Sequence, residues 1–134
     1  MKWMLDSDTC IALIKRRPEA AIRRLHSRSI GQVGVSSIVV GELAFGAERS
    51  AHRAQNLDAL QQFLMALEVA VFDLPAALHY GAARVPLEQL RRPIGPLDML
   101  IAAHALSLDA VLVTHNVREF GRVKGLRIED WLKP

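Results

Sequence analysis

The sequence predicts an α/β fold, with a mainly parallel central sheet of four to five strands flanked by helices on both faces. Three observations carry this. Short runs of β-branched and aliphatic residues recur along the chain, segments of helical length separate them, and Ser, Asp or Pro marks most of the changeovers. Strands that alternate with helices join by right-handed crossovers, which lay helices over both faces of a parallel sheet.

Residues 2–5 form a first strand ending at Asp6, and Ser7 and Asp8 can cap a helix through Cys10, Ile11, Leu13 and Ile14, which Pro18 ends. A second helix is expected over 19–28, with Ile22 and Leu25 on one side and Arg23, Arg24 and Arg28 on others. Residues 32–35 make a second strand, and Ser36 and Ser37 cap a helix over 38–48. Leu57, Leu60, Leu64 and Leu67, spaced by three and four, predict an amphipathic helix over 51–67. A third strand at 69–72 leads to a helix opened by Pro75 and running to about 91. Gly95 and Pro96 start the next helix, where a missing amide costs little. A fourth strand follows at 110–113, then a polar stretch from Thr114 and a last strand near 126–128.

With 134 residues the chain is expected to form one domain, 1–134, long enough to bury most of the surface its unfolded form exposes. Its 51% hydrophobic but only 5% aromatic content points to a core of Leu, Ile, Val and Ala, unlike a disordered chain. The apolar run of MKWMLDSD is too short for a signal peptide and no stretch approaches a membrane span, so a cytoplasmic protein is expected. Cys10 is the lone cysteine, which excludes an internal disulfide and a multi-cysteine zinc site. The net charge is +3, and 13 of the 17 cations are Arg, the cation that grips phosphate with two hydrogen bonds. An ordinary solvated surface accounts for the same numbers; nucleic acid is the partner they favour.

Ligands of open α/β sheets bind outside the carboxyl ends of the strands. Asp6 ends the first strand, Glu42 lies in the second turn of the helix after the second, and Asp98 opens the helix feeding the fourth, so all three are drawn to that edge. Each has a structural explanation: Asp6 or Asp8 as a cap, Asp98 as a complement to the helix dipole, Glu42 as an acid on a helix margin. Glu42 fits its explanation least, because its helical neighbours Ile38, Val39, Phe45 and Gly46 are apolar or bare backbone. Carboxylates gathered to about 4 Å repel by roughly 4 kcal/mol per pair at an effective dielectric of 20. Separation, protons or a cation must offset that. Oxygen-only donors select hard divalent cations, Mg²⁺ or Mn²⁺, and such an ion acidifies bound water and neutralises charge growing on a phosphodiester.

MLDSD, VSSIVVGELAFGAERS, PIGPLDMLIAAHALSL, VLVTHNVREF and GLRIEDW occur in this order over nearly the whole chain. In them the chain resembles the PIN-domain ribonucleases, specifically the small toxins of bacterial VapBC-type toxin–antitoxin pairs. The resemblance implies a homodimer, a Mg²⁺ or Mn²⁺ site, and endonuclease activity on structured RNA, tRNA being favoured, silenced by a cognate VapB-like antitoxin. It places Asp6 and Asp98 on the family's metal-binding aspartates and Glu42 on its third acidic position. Asn116 falls where many members carry a fourth aspartate, and Asp8 where relatives commonly have Asn. Asp8 is therefore expected to replace part of the charge missing at Asn116. Ser7 and Thr114 are candidate hydroxyl contacts at the same edge, or else turn residues.

Of the five histidines, His104 lies about 240° around its helix from Asp98 and is expected to pack in the core or an interface. His115 follows the fourth strand at the site edge, where it can meet RNA. Lys15, Arg16 and Arg17 end the first helix, and Arg91, Arg92, Arg118 and Arg122 lie near loops and helix ends that can flank the acids. Two rivals remain open on sequence alone. A non-catalytic RNA- or protein-binding module would keep the fold without the chemistry. A phospho-receiver domain would need an acceptor Asp ending a central strand, whereas the second strand ends at Val35-Ser36.

Overall fold

A computed structural model describes residues 1–29 and 31–133. Among the described residues, five strands alternate with seven helices in the order β1 (Trp3–Leu5), α1 (Ser7–Ile14), α2 (Glu19–His26), β2 (Val33–Ser36), α3 (Ser37–Glu48), α4 (Arg53–Leu64), β3 (Glu68–Ala70), α5 (Leu74–Gln89), α6 (Pro96–Ser107), β4 (Val111–Val113), α7 (Val117–Phe120) and β5 (Ile128–Glu129). The strands lie in the order β3-β2-β1-β4-β5, and every pairing is parallel. Register runs Trp3 to Val33 on one side of β1 and Trp3 to Val111 on the other.

That order has one reversal. From β1 the chain steps outward to β2 and β3, then crosses back to β4 on the far side of β1 and steps outward again to β5. With right-handed crossovers, the two directions put their helices on opposite faces. The carboxyl ends of β1 and β4 thus form the switch point at which open α/β sheets bind ligands.

The sheet's middle is fully buried: Met4 and Leu5 of β1, Val35 of β2, and Leu112 and Val113 of β4 are 0% exposed. Gly34 is required for close approach, since a Cβ there would stand 2.3 Å from the carbonyl oxygen of Glu68 on β3. Helix α6 is buried on all sides through Met99, Ile101, Ala102, Ala103, His104 and Ala105, which is why its sequence is almost uniformly apolar. Trp131, just past β5, is also wholly buried.

Several boundaries differ from those the sequence predicts. Ser36 belongs to β2 and also caps α3, its Oγ accepting the Ile38 amide at 3.1 Å. Helix α4 stops at Leu64, where Met65, Ala66 and Leu67 tighten into bonds to carbonyls three residues back. β3 starts and stops earlier than expected, because the Phe72 amide donates to Ser37 Oγ at 3.1 Å. The polar stretch after Thr114 holds the unexpected short helix α7, and β5 lies at Ile128–Glu129, shifted along from 126–128. Both are too short to register as a periodicity.

Candidate active site

Asp6 leaves β1 with its amide bonded to the Val113 carbonyl of β4 at 3.0 Å, which pins it at the switch point. Its Oδ1 caps α1 by accepting the Thr9 amide at 2.9 Å, and the residue is only 5% exposed. Burial raises its pKa, opposed by hydrogen bonds from Thr114 and Thr9, and neighbouring Asp8 adds a smaller push upward. The capping explanation is thus true of Asp6 but incomplete, since a cap needs no burial.

Glu42 lies half-buried on α3, and Ser7 Oγ donates to its Oε1 at 2.7 Å. This bond ties the start of α1 to the second turn of α3 and makes Ser7 a contact of the acid. Asp98 stands in the first turn of α6, where Gly95 occupies the cap position without a side chain. An acid that served only the helix dipole would be favoured as an anion and hence more acidic. Asp98 goes the other way, to about 6, through burial first, then the charge and hydrogen bond of Glu119, then the charges of Glu42 and Asp6. The acids that the topology directs to one edge therefore sense one another.

Glu119 escaped the sequence reading. It sits on α7 and accepts the Gly95 amide at 2.7 Å and the Asn116 Nδ2 at 3.1 Å. These two bonds, Gly95 first, hold its pKa down, so of the two neighbouring acids Asp98 is the one that takes up a proton first. The available signal was an acid one helical turn after Asn116 in VLVTHNVREF. Asn116 therefore orients a carboxylate, and its own amide is tied to Thr114 Oγ1 at 3.0 Å. The carboxylate that Asn116 contacts is Glu119; Asp8 is exposed on α1, its charge acts on Asp6, and it lines a groove with Ser7 and Glu42.

His104 stands apart from the cluster. It is 1% exposed, its Nδ1 lies 2.8 Å from Ser36 Oγ, and its ring meets Phe72 edge-on at 5.3 Å. His115 is exposed beyond β4 and faces Asp130. Asp73, three residues past the edge strand β3, caps α5 through the Ala76 amide at 3.1 Å.

Among the described residues, no three acidic, histidine or cysteine side chains are drawn together closely enough to hold a metal ion as they stand. The repulsion is limited instead by separation, and below about pH 6 by a proton on Asp98. The donor set nevertheless fits a hard divalent cation: carboxylates alone, no imidazole or thiolate, with the charges of Glu119, Glu42 and Asp6 adding to burial in raising Asp98. Asp6 and Asp98, with Glu42 and Glu119 beside them, are the residues that would hold it.

A parallel sheet with acids at its switch point defines the class of α/β domains with an acidic site at the sheet edge, and the comparisons specify it. Residues 3–126 match the model of the PIN domain. The chain is 44% identical over 131 residues to the tRNA(fMet)-specific endonuclease VapC of Salmonella typhimurium, covering 98% of each, and 39% identical over 132 residues to Ribonuclease VapC2 of Haemophilus influenzae, covering 98% of this chain and 99% of that one. The structure of DNA-bound VapBC from Salmonella typhimurium superimposes with a TM-score of 0.92 at 44% identity over 98% of each chain. VapBC2 from Rickettsia felis, bound to a DNA fragment from its promoter, gives 0.91 at 36% identity over 98% and 99%. The chain belongs to the PIN domain family, in its VapC branch.

Proposed function

We propose that this protein is the toxin of a type II toxin–antitoxin pair, a Mg²⁺- or Mn²⁺-dependent endoribonuclease acting in the cytoplasm on structured RNA, with tRNA as the preferred substrate. The observation that carries this is Asp98, raised to about 6 by burial first and then by Glu119, Glu42 and Asp6 gathered around it at the sheet's switch point. Similarity to endonucleases over nearly the full length supports the same reaction, and the name of the Salmonella relative supports tRNA.

When bound, the cation would neutralise charge on the phosphodiester and acidify a water. The chain's own contribution is positional. Thr9, Thr114 and Ser7 fix Asp6 and Glu42 through hydrogen bonds, and Gly95 and Asn116 fix Glu119. Arg92 and Arg118, exposed on segments that flank the acids, hold the strand by its phosphates without reading its sequence.

The antitoxin has a fitting seat. A groove of about 970 Å³ runs between α1, α3 and α4, lined by Ile11, Ile14, Ile38, Phe45 and Leu60 among others, and Glu42 and Asp8 lie in its wall. Such a groove suits an amphipathic segment carrying a cation to meet the acids. The α5 face bearing Leu74, Leu78 and Val85, each more than half exposed, is the surface a homodimer would bury.

Purified protein incubated with tRNA should cut it in Mg²⁺ or Mn²⁺ and stop when EDTA is added. Full activity in excess EDTA would overturn the metal mechanism, and intact RNA binding without cleavage in either ion would favour the binding-module reading.

A further inference from the structure

The end of β4 carries a group that the acidic cluster does not use. His115 follows Thr114 directly, and its side chain is 65% exposed. An imidazole so open is ordinarily free to turn, yet this one is held, with Nδ1 3.0 Å from Asp130 Oδ2. Asp130 is itself only 13% exposed, and its Oδ1 accepts the Leu132 amide at 3.0 Å. A carboxylate can only accept, so Nδ1 carries the hydrogen and a neutral ring keeps its lone pair at Nε2.

The support beneath is rigid. Asp130 lies between Glu129 and Trp131, and both are clamped. The indole N–H of Trp3 and that of Trp131 donate to the two oxygens of Glu129 at 3.2 and 3.0 Å. The Arg28 guanidinium lies 4.5 Å from the Trp3 ring and 4.9 Å from the Trp131 ring. Arg24, exposed on α2, donates from Nη1 to the Asp130 carbonyl at 3.4 Å and so stands next to the histidine's anchor.

We propose that His115, oriented by Asp130 and accompanied by Arg24, forms a subsite for one ribose-phosphate unit of the RNA strand beside the scissile bond. Nε2 accepts the ribose 2′-hydroxyl, the group that separates RNA from DNA, and Arg24 takes a phosphate. This rests on the ribonuclease reading above. The placement follows from the chain itself. His115 lies between Thr114, which bonds Asp6, and Asn116, which bonds Glu119, with neighbouring Cα atoms about 3.8 Å apart. One strand can therefore touch the subsite and the acids together. His115 and Asp130 are positioning residues, outside the bond-breaking step.

The test uses the full chain carrying Asp98→Asn, so that RNA stays intact, and measures Kd for a tRNA(fMet) transcript and for a DNA strand of the same sequence. Adding His115→Ala should weaken RNA binding about 3- to 10-fold, the worth of one hydrogen bond, while leaving DNA binding in place, so that the preference for RNA narrows. His115→Gln should restore part of the loss, and Asp130→Asn should reproduce part of it. Arg24→Ala should weaken RNA and DNA alike and lower the salt dependence by about one phosphate contact. In the otherwise native chain, His115→Ala should raise KM and leave kcat within about 2-fold. RNA affinity unchanged by His115→Ala, or RNA and DNA weakened equally, would overturn the subsite. If the native chain cuts no RNA in either ion, the ribonuclease reading fails, and the binding measurements still decide the subsite separately.

Discussion

Two half-buried carboxylates, Glu129 and Asp98, separate an acid that the fold satisfies from one proposed to serve chemistry. Burial works against the charge of Glu129, but hydrogen bonds from Trp131 and Trp3 and the charges of Arg28 and Arg24 outweigh it and hold the pKa low. Asp98 is likewise partly buried, yet its neighbours are Glu119, Glu42 and Asp6, and its pKa rises to about 6. Arg28 and Arg24 act on Glu129, whereas the charges that act on Asp98 are all acidic. The Glu129 site is complete within the protein, whereas the Asp98 site gathers acids that the proposed divalent ion would balance.

Breaking the complete site should therefore show in stability, and breaking the incomplete one in activity. Trp131→Ala removes a fully buried indole and a donor to Glu129, and should cost about 3–5 kcal/mol in chemical unfolding. Asp98→Asn should lower RNA cleavage by roughly 10²–10³-fold, about 3–4 kcal/mol of barrier, while the thermal midpoint stays level or rises because like charges are relieved. Loss of folding in Asp98→Asn would make that acid structural, as Glu129 is.

The two sites should also tilt the pH dependence in opposite directions. Asp98 has an ordinary pKa of 3.8 unfolded and about 6 folded, so between those values the folded state binds more protons. Stability of the metal-free protein should fall as pH rises through about 4 to 6, by roughly 1–2 kcal/mol once partial solvent screening is allowed for. Asp6, also raised, adds to this fall. Glu129, held low, stabilises above its unfolded pKa, and that contribution is lost as pH falls through its folded value. Unfolding midpoints measured in EDTA against pH, with Glu129→Gln as comparison, resolve the two, and Mg²⁺ should reverse the Asp98 limb by mass action. Smaller effects should follow at the margin. Glu119→Gln should weaken divalent-ion affinity by about 10- to 100-fold, and Asp8→Asn should change affinity and cleavage by no more than about 3-fold, since Glu119 and not Asp8 accompanies Asn116.

Much of this was legible in the sequence because its signals are local. Apolar runs bounded by Ser, Asp and Pro located β1, β2 and β4, and the alternation of strand and helix directed Asp6, Glu42 and Asp98 to one edge before any contact was known. Glu119 was not legible for a matching reason. Its direction depends on a four-residue helix and on the Gly95 amide, 24 residues away in the chain. Asp98 could be placed by sequence but its character could not, because a dipole acid and an acid crowded by other acids occupy the same first turn and differ only in what surrounds them. The Arg28 clamp was illegible as well, since it joins the turn after α2, β1 and the segment after β5 through stacking that has no periodicity.

Titration of the Asp98 carboxyl by carbon NMR in the full chain, in EDTA and then with Mg²⁺, tests the central claim most directly. A midpoint near 6 in EDTA that drops when Mg²⁺ is added is the predicted result. A midpoint near 4 that ignores the ion would contradict it, and would return Asp98 to the ordinary role of complementing a helix dipole.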